Sequence, residues 1–196
     1  MQDDANIEES WQWEAPVDDA RRVLKGWDPI VQRIIDLTPE PLIDWKLVYR
    51  DPLPTWISPK RRIALIGDAA HPFLPTSIQG ASQAMEDGVT LAICLQKAGK
   101  ENAQEAIAAF EAIRYNRVYY AQKTGEATRD TWHKADFDAI KKNPDSMKLK
   151  REGWILNFDA APYAEDNYDR TVEVLRRTGL ADTSEAKNLH MPDLSS

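Results

Sequence analysis

The chain has 196 residues, which suffices for one domain or slightly more. Because 32 Asp and Glu outnumber 25 Lys and Arg, the net charge is −7, which argues against nucleic acid as the main partner and disfavours an anionic membrane surface. The hydrophobic share of 42% and the charged share of 29% are typical of a globular protein with its own core.

The single cysteine, Cys94, excludes a disulfide within the chain and favours a cytoplasmic protein. We expect its side chain to be a small buried apolar group. No apolar run approaches the roughly 20 residues of a membrane span. The acidic start MQDDANIEESW also lacks the apolar region of a signal peptide. The sequence therefore predicts no membrane partner.

The first predicted helix follows a polar, acidic stretch over residues 1–15. Asp28 is suited to cap this helix and Pro29 to occupy its first position, whereas Pro39 and Pro41 end it. Its apolar residues recur on one face, at Ile30, Ile34 and Leu37.

A strand is predicted next, because residues 43–50 (IDWKLVYR) nearly alternate and are rich in β-branched and aromatic side chains. The proline-rich residues 51–60 form a surface connection. The apolar run Ile63 to Ile66 stops at Gly67-Asp68, which is typical of a buried strand of the parallel type over residues 62–66.

Two long helices are predicted after this strand. The first begins near Gly80 and ends at Gly99, and the second extends from about Ala103 to Trp132. Small and apolar residues recur at helical spacing in the first, at Ala81, Ala84, Met85, Gly88, Leu91, Ala92 and Leu95. Beyond them, we expect a solvated basic loop, KKNPDSMKLK, and a short helix, DRTVEVLRR.

The residues that point to chemistry lie between the strand and the first long helix. In open α/β sheets, ligands bind beyond the carboxyl ends of strands, where Asp68 is placed to accept hydrogen bonds from sugar or ribityl hydroxyls. The backbone N–H groups around Gln79 to Ala81 begin a helix and suit an electron-rich ligand edge. Gly67 and Gly80 permit close approach of the backbone. A flavin requires these features.

The same segment, GDAAHPFLPTSIQGASQAMEDG, resembles the second FAD-contact motif of the class A flavoprotein monooxygenases, in particular the salicylate-hydroxylase-like branch. The flanking patterns ESW, GWDP, WKLVYRDPL and EAIRYNRVYYAQKTG…WH agree with that family. The resemblance covers roughly residues 8–135. It implies an α/β fold in which this chain is the C-terminal part of a Rossmann-like FAD-binding domain, mostly helical, with a remnant of the substrate-domain sheet.

The resemblance also implies roles for individual residues. Gly67 and Asp68 match the Gly-Asp pair whose carboxylate contacts the ribityl chain of FAD. The loop prolines that lie against the ring system match Pro72 and Pro75, and the backbone that faces the flavin pyrimidine edge matches Gln79, Gly80 and Ala81. Family members use NADH or NADPH and O₂ to hydroxylate a small aromatic substrate, so we expect those partners here. No residue is predicted to be catalytic.

The sequence departs from the family because it contains no GxGxxG, the unit that binds the ADP part of FAD. We therefore expect a C-terminal fragment with three parts: the end of the substrate domain (residues 1–50), part of the FAD-binding domain (51–135) and an extension (136–196). A missing N-terminal half would be supplied elsewhere. The alternative is a non-catalytic remnant or an interaction module that needs a partner chain.

Simpler interpretations exist for the polar residues. The simpler interpretation of Asp68 is a turn cap that binds no ligand, and His71 is more readily a loop residue than a catalytic base. Ser77 lacks a nucleophile elbow, which argues against a hydrolase triad. Solvated or salt-bridged helix residues are the favoured interpretation of Arg114 and Arg117, and the alternative is that they reach the flavin domain or a ligand. Glu86-Asp87 are expected to stabilise the helix or pair with a neighbour. The histidines His71, His133 and His190 are too dispersed for a metal site.

Overall fold

A computed structural model describes residues 13–45, 50–148 and 153–192. Its contacts divide the chain into two units, Met1–Val48 and Tyr49–Ser196. The first unit contains a small antiparallel sheet and two short helices. Their bounds are Trp13–Ala15 (β1), Val17–Val23 (α1), Pro29–Asp36 (α2) and Leu42–Asp44 (β2).

The predicted helix cap in the first unit is confirmed. The carboxylate of Asp28 accepts a hydrogen bond from the N–H of Ile30 at 2.8 Å, and Pro29 follows as the first helical residue. The apolar residues of α2 share a face, as expected, but in the structure that face is exposed. Capping therefore defines the start of this helix without any buried contact.

The strand predicted over residues 43–50 is confirmed only at its start. Ile43 of β2 pairs with Glu14 of β1, and β2 ends at Asp44. Residues 46–49 lie outside the described part of the chain. The pairing strand β1 falls in the stretch that was predicted only to be polar, because a three-residue strand carries too little pattern to stand out.

The second unit is mostly helical. Its helices are Gly80–Ala98 (α3), Ala103–His133 (α4), Phe137–Lys142 (α5), Gly153–Leu156 (α6), Ala160–Thr178 (α7) and Ser184–Asn188 (α8). Both long predicted helices are confirmed, α3 beginning at Gly80 and α4 extending one residue beyond Trp132. The N–H of Gly99, which has a φ of +71°, bonds to Leu95 O and ends α3.

Helix α4 is the centre of the second unit and packs against α3, α7 and α8. Its buried residues occur on all sides, and many are alanines that let neighbouring helices approach closely. Cys94 of α3 is buried in this core, as predicted. The larger core side chains are Trp56, Phe110, Ile113, Val118, Val172 and Leu175.

The prediction of a buried strand over residues 62–66 is wrong. Ala64 forms a single antiparallel bridge with Ile57, and Ile63 is 65% exposed. The run is extended, with hydrogen bonds on one side only, from Leu65 N–H to Trp56 O and from Ser58 N–H to Ile63 O. A buried strand needs neighbours on both edges, and none of the described residues supplies the second one.

The C-terminal region contains more helix than the sequence indicated. The predicted short helix DRTVEVLRR is the second half of α7, which begins at Ala160 after Asp159 caps it. The predicted basic loop overlaps the end of α5 and a 3₁₀ turn over Pro144–Met147, and residues 149–152 are not described. Among the described helices, none is long and apolar enough to cross a membrane.

Candidate functional site

The segment over residues 67–81, here the 67–81 segment, folds back so that its two ends meet. It begins with a 3₁₀ turn over Gly67–Ala69, passes a second turn over Pro75–Ser77 and enters α3. An ideal Cβ built on Gly80 would lie 4.0 Å from Oδ1 of Asp68. The structure therefore brings Asp68 beside the N-terminus of α3.

The side chain of Asp68 is exposed, and no hydrogen bond joins it to another of the described residues. The preceding residue, Gly67, is buried with a φ of +56°, a conformation that favours glycine. A Cβ at Gly67 would also lie 3.2 Å from the Cβ of Ala84. Close packing of the turn on α3 thus holds the Asp68 carboxylate at the surface, where it is available to a ligand.

The N-terminus of α3 is open. Gln79 occupies the cap position, but its side chain accepts only from the Ser82 hydroxyl and from no backbone N–H, so the N–H groups of Gly80 and Ala81 are not capped. These donors carry the partial positive charge of a helix N-terminus, close to Asp68. Pro75 is exposed on the same segment, and Pro72 is half-buried.

A fully buried carboxylate, Asp87, holds the start of the segment. Its Oδ2 accepts a hydrogen bond from Gly67 N–H at 3.0 Å and lies 2.6 Å from Nε2 of His71. Its Oδ1 accepts from Nε of Arg114 at 2.9 Å. Burial alone would raise the pKa of the Asp87 carboxyl, but the hydrogen bond from His71 and the charge of Arg114 outweigh it, and the pKa is lowered.

Glu86 extends this cluster along α3. Arg114 is fully buried and donates from Nη1 to Glu86 at 2.6 Å and from Nη2 to Gln83 Oε1 at 2.7 Å. Arg117 binds Glu86 with two bonds of 2.8 Å. The two arginines form salt bridges, as one of the favoured alternatives predicted, but they are buried and not solvated, and Glu86 and Asp87 pair with neighbours. The buried ionic cluster comprises His71, Gln83, Glu86, Asp87, Arg114 and Arg117.

Helix α4 contacts the middle of the 67–81 segment. Thr76 Oγ1 donates to Gly125 O at 3.0 Å, and Gln122 Nε2 donates to Pro72 O at 3.1 Å. A Cβ at Gly125 would lie 2.8 Å from the Cβ of Ser77, closer than side chains pack. Glycine is therefore required where the second turn contacts α4.

The interpretation of Ser77, His71 and Asp68 as a hydrolase triad is excluded by the partner of the histidine. His71 is fully buried and donates to Asp87, not to Asp68. The rings of Trp56 and Phe73 pack against it at centroid distances of 5.0 and 5.5 Å. His71 is thus a structural residue on the buried side of the 67–81 segment. No group of three or more potential metal ligands occurs within the described ranges.

Sequence reasoning missed the roles of Gly125 and of the His71–Asp87 pair. The sequence did contain a signal for the burial of Asp87, because it lies on one helix face with other α3 residues at spacings of four, three and four, and all of these residues are buried. These residues are Gln83, Asp87, Thr90 and Cys94. Gly125 carried no such signal, because its requirement depends on a contact with a residue 48 positions away (125 minus 77).

A cavity of about 210 Å³ lies elsewhere, between α4, α6, α7 and residues 190–192. Trp154, Phe158 and Tyr163 line it together with Arg117 and His190. None of the residues predicted to contact flavin contributes to its wall. The cavity is therefore separate from the 67–81 segment.

Comparison with known proteins agrees with the geometry. Residues 58–122 match the family described as FAD binding domain. This range includes the whole 67–81 segment, the buried ionic cluster and Gln122 of α4, and it ends three residues before Gly125. The class that the fold and the site define is thus a partial FAD-binding domain.

Relatives identify the enzyme class. The chain is 40% identical over 148 residues to the FAD-dependent monooxygenase fsr3 of Gibberella fujikuroi. The aligned region covers 75% of this chain and 28% of that protein. It is 41% identical over 164 residues to nanF of Aspergillus nanangensis, covering 81% and 36%, and 35% identical over 194 residues to fmqB of Aspergillus fumigatus, covering 90% and 46%. Both are named FAD-dependent monooxygenases.

Solved structures give the same result. The chain superposes on native FqzB with a TM-score of 0.76 at 39% identity, covering 90% of this chain and 42% of that one. It superposes on CtdE, determined with FAD and its substrate 4, with a TM-score of 0.78 at 35% identity, covering 88% and 42%. Over most of its length, the chain is therefore similar to part of several FAD-dependent monooxygenases. It spans less than half the length of these relatives.

Proposed function

We propose that the 67–81 segment is the ribityl and ring-binding part of an FAD site in an NAD(P)H-using monooxygenase. The observation that carries the proposal is the position of Asp68, exposed beside the open N-terminus of α3. Asp68 alone, or a helix N-terminus alone, is common in proteins. Their juxtaposition inside a sequence that matches an FAD-binding domain is what supports a flavin site.

Each part of the segment has a chemical role in the proposal. The Asp68 carboxylate accepts hydrogen bonds from ribityl hydroxyls, while Gly67 lets the turn pack close to α3. The N–H groups of Gly80 and Ala81, with Gln79 before them, face the electron-rich pyrimidine edge. The prolines, Pro72 and Pro75, lie against the ring system. When bound, FAD supplies the redox chemistry with NAD(P)H and O₂.

The remainder of the site belongs to sequence that this chain does not contain. The chain lacks GxGxxG, so we propose that the ADP part of FAD is held by an N-terminal half supplied elsewhere. The exposure of Ile63, Leu65 and Ile66 supports this, because these side chains would be covered by further strands of the FAD-binding sheet. Residues 1–50 would end a substrate domain, and residues 136–196 would extend the FAD-binding part, 51–135.

The proposed reaction is hydroxylation of a small aromatic or phenolic substrate. It rests on the family resemblance and not on a residue of this chain, since no described residue is placed as an acid or base for the reaction. The alternative function is a non-catalytic remnant or an interaction module. The absent GxGxxG favours this alternative, and cofactor binding distinguishes the two.

A hybrid enzyme provides the test. The matching 36% of the nanF protein would be replaced by this chain, so that the relative supplies the remaining sequence. We expect the purified hybrid to show flavin absorbance at about 450 nm and to oxidise NADH or NADPH faster when a phenol is added. A folded hybrid without flavin would contradict the FAD site. A flavin-containing hybrid that never hydroxylates an aromatic compound would contradict only the reaction.

A further inference from the structure

We infer that Asp87 is a positioning residue that fixes the Gly67–Asp68 turn in the conformation that receives flavin. That the turn receives flavin rests on the proposed FAD site. That Asp87 fixes the turn rests only on the contacts of Asp87. Asp87 does not face the ligand side, because it is fully buried. It acts through the backbone N–H of Gly67, the residue immediately before Asp68.

Three donors from two parts of the fold, the turn and α4, converge on this one carboxylate. They are the backbone N–H of Gly67 at 3.0 Å, Nε2 of His71 at 2.6 Å and Nε of Arg114 at 2.9 Å. The first two come from opposite ends of the turn, and the third comes from α4. One side chain of α3 therefore ties the turn at two points and connects it to the central helix.

The turn needs such a tie because its backbone is not held by a sheet. Residues 63–66 form a single β-bridge, on one side only. Gly67 has a positive φ, and a glycine has no side chain that would restrict its backbone to one conformation. Within the turn, the N–H groups of Ala70 and His71 both bond to Gly67 O at 2.9 Å. Gly67 is therefore the point on which the whole turn depends, and Asp87 binds its N–H.

Only a carboxylate satisfies this arrangement. An ionised Asp87 accepts all three bonds, and Arg114 compensates the charge that burial would otherwise penalise. In Asp87→Asn, one oxygen becomes an NH₂ donor that must face an N–H group. At least one of the three bonds is lost, although the size and shape of the side chain hardly change. This substitution therefore removes the charge and at least one of the bonds without creating a cavity.

Hydrogen exchange of the complete 196-residue chain tests the inference. Asp87→Asn should raise amide exchange in residues 67–71 by about tenfold, the value expected when a buried donor loses its partner. Exchange in α7 should not change. The matched control is Glu105→Gln, which loses its charge and at least one of the two bonds to Arg176 between α4 and α7 and has no contact with the turn. It should leave exchange in residues 67–71 unchanged.

The nanF hybrid with the same substitutions and added FAD separates the inference from the proposed function. Protection of residues 67–81 by FAD in the unsubstituted hybrid, weakened at least about tenfold in affinity by Asp87→Asn and not by Glu105→Gln, supports both. If FAD gives no protection but the turn still loosens in Asp87→Asn, the proposed site fails and the positioning role stands. Unchanged exchange at the turn, or an equal rise in α7, overturns the positioning role.

Discussion

The two faces of α3 differ in a way that reverses the usual helix pattern. The face that packs against α4 and the Gly67 turn is polar and buried, with Gln83, Asp87 and Thr90 fully enclosed. The opposite face is apolar and exposed, with Met85, Val89 and Leu95 among its residues. In a helix of an ordinary globular protein, the apolar face is the buried one.

The difference teaches what each face is for. The polar face is buried because its charges satisfy one another, Asp87 and Glu86 with Arg114 above all. The apolar face has no cover among the described residues, and the same holds for the neighbouring side chains of residues 63–66. The polar face therefore holds the 67–81 segment through contacts within this chain. The apolar face offers a surface on which further strands of the proposed FAD-binding sheet would pack.

The largest effect should follow from removing the cation of the polar face. Arg114→Met leaves Asp87 and Glu86 without their shared partner, and breaking a buried ion pair in this way costs about 3–5 kcal/mol. Urea unfolding of the complete chain measures the loss. Arg176→Met, which breaks an exposed pair with Glu105, should cost at most about 1 kcal/mol. Equal losses in the two variants would show that burial adds nothing.

A buried histidine without an ionic partner sharpens the contrast. His190 is 2% exposed and lies between hydroxyl groups, with Nε2 2.8 Å from Thr171 Oγ1 and Nδ1 3.1 Å from Tyr163. Burial, followed by the charge of Arg170, lowers the pKa of His190 to about 4. The folded state therefore disfavours the protonated ring of His190.

The consequence for His190 is a pH-dependent stability. Because its folded pKa lies below the unfolded value of 6.5, its contribution is complete above pH 6.5 and is lost as the pH falls towards 4. The loss should be on the order of 3 kcal/mol. Unfolding curves between these pH values measure it, and the difference between the unsubstituted chain and His190→Gln isolates this residue. Parallel pH profiles would contradict the account.

A smaller effect should follow from Gly125→Ala, which sharpens the role of the second turn. The added methyl would lie 2.8 Å from the Cβ of Ser77, so the turn must move, at a cost of about 1–3 kcal/mol. Gly88→Ala on the exposed face meets nothing within 4 Å and should stabilise α3 by about 0.5–1 kcal/mol. Urea unfolding decides, and a stabilised Gly125→Ala variant would mean that the turn yields freely.

The smallest effect in the isolated chain should come from the apolar face. Met85 is 67% exposed, so Met85→Gln should change the free energy of unfolding by less than about 0.5 kcal/mol. In the nanF hybrid the same substitution should lower flavin content, because there the face would be covered. A hybrid that retains its flavin unchanged would show that this face is not part of the assembled domain.

Local signals predicted the fold well where structure depends on neighbouring residues. The cap at Asp28, the start of α3 at Gly80 and its end at Gly99 follow from turn and cap chemistry within a few residues. The strand over residues 62–66 was wrong because strand pairing depends on distant segments that the apolar pattern does not reveal. The predicted surface position of Asp68 agreed with the structure, since the Gly-Asp turn is local.

The buried ionic cluster could not be predicted to the same depth. Asp87 binds partners 16 and 27 residues away, so its burial depends on the packing of α3 against α4. The sequence indicated that Glu86 and Asp87 would pair but did not say with which residues. The roles of the 67–81 segment in binding flavin, and the domain boundaries at residues 50 and 135, stay predictions.

The measurement that tests the central claim most directly is FAD affinity of the nanF hybrid with and without Asp68→Ala, alongside thermal melts of both proteins. Losing one or two charge-assisted bonds should weaken FAD binding by about ten- to a hundredfold. The melting temperature of the FAD-free protein should hardly change, because Asp68 is exposed. Asp166→Ala, an exposed carboxylate on α7, should alter neither quantity. Unchanged FAD affinity in Asp68→Ala would contradict the assignment of this residue to the flavin site.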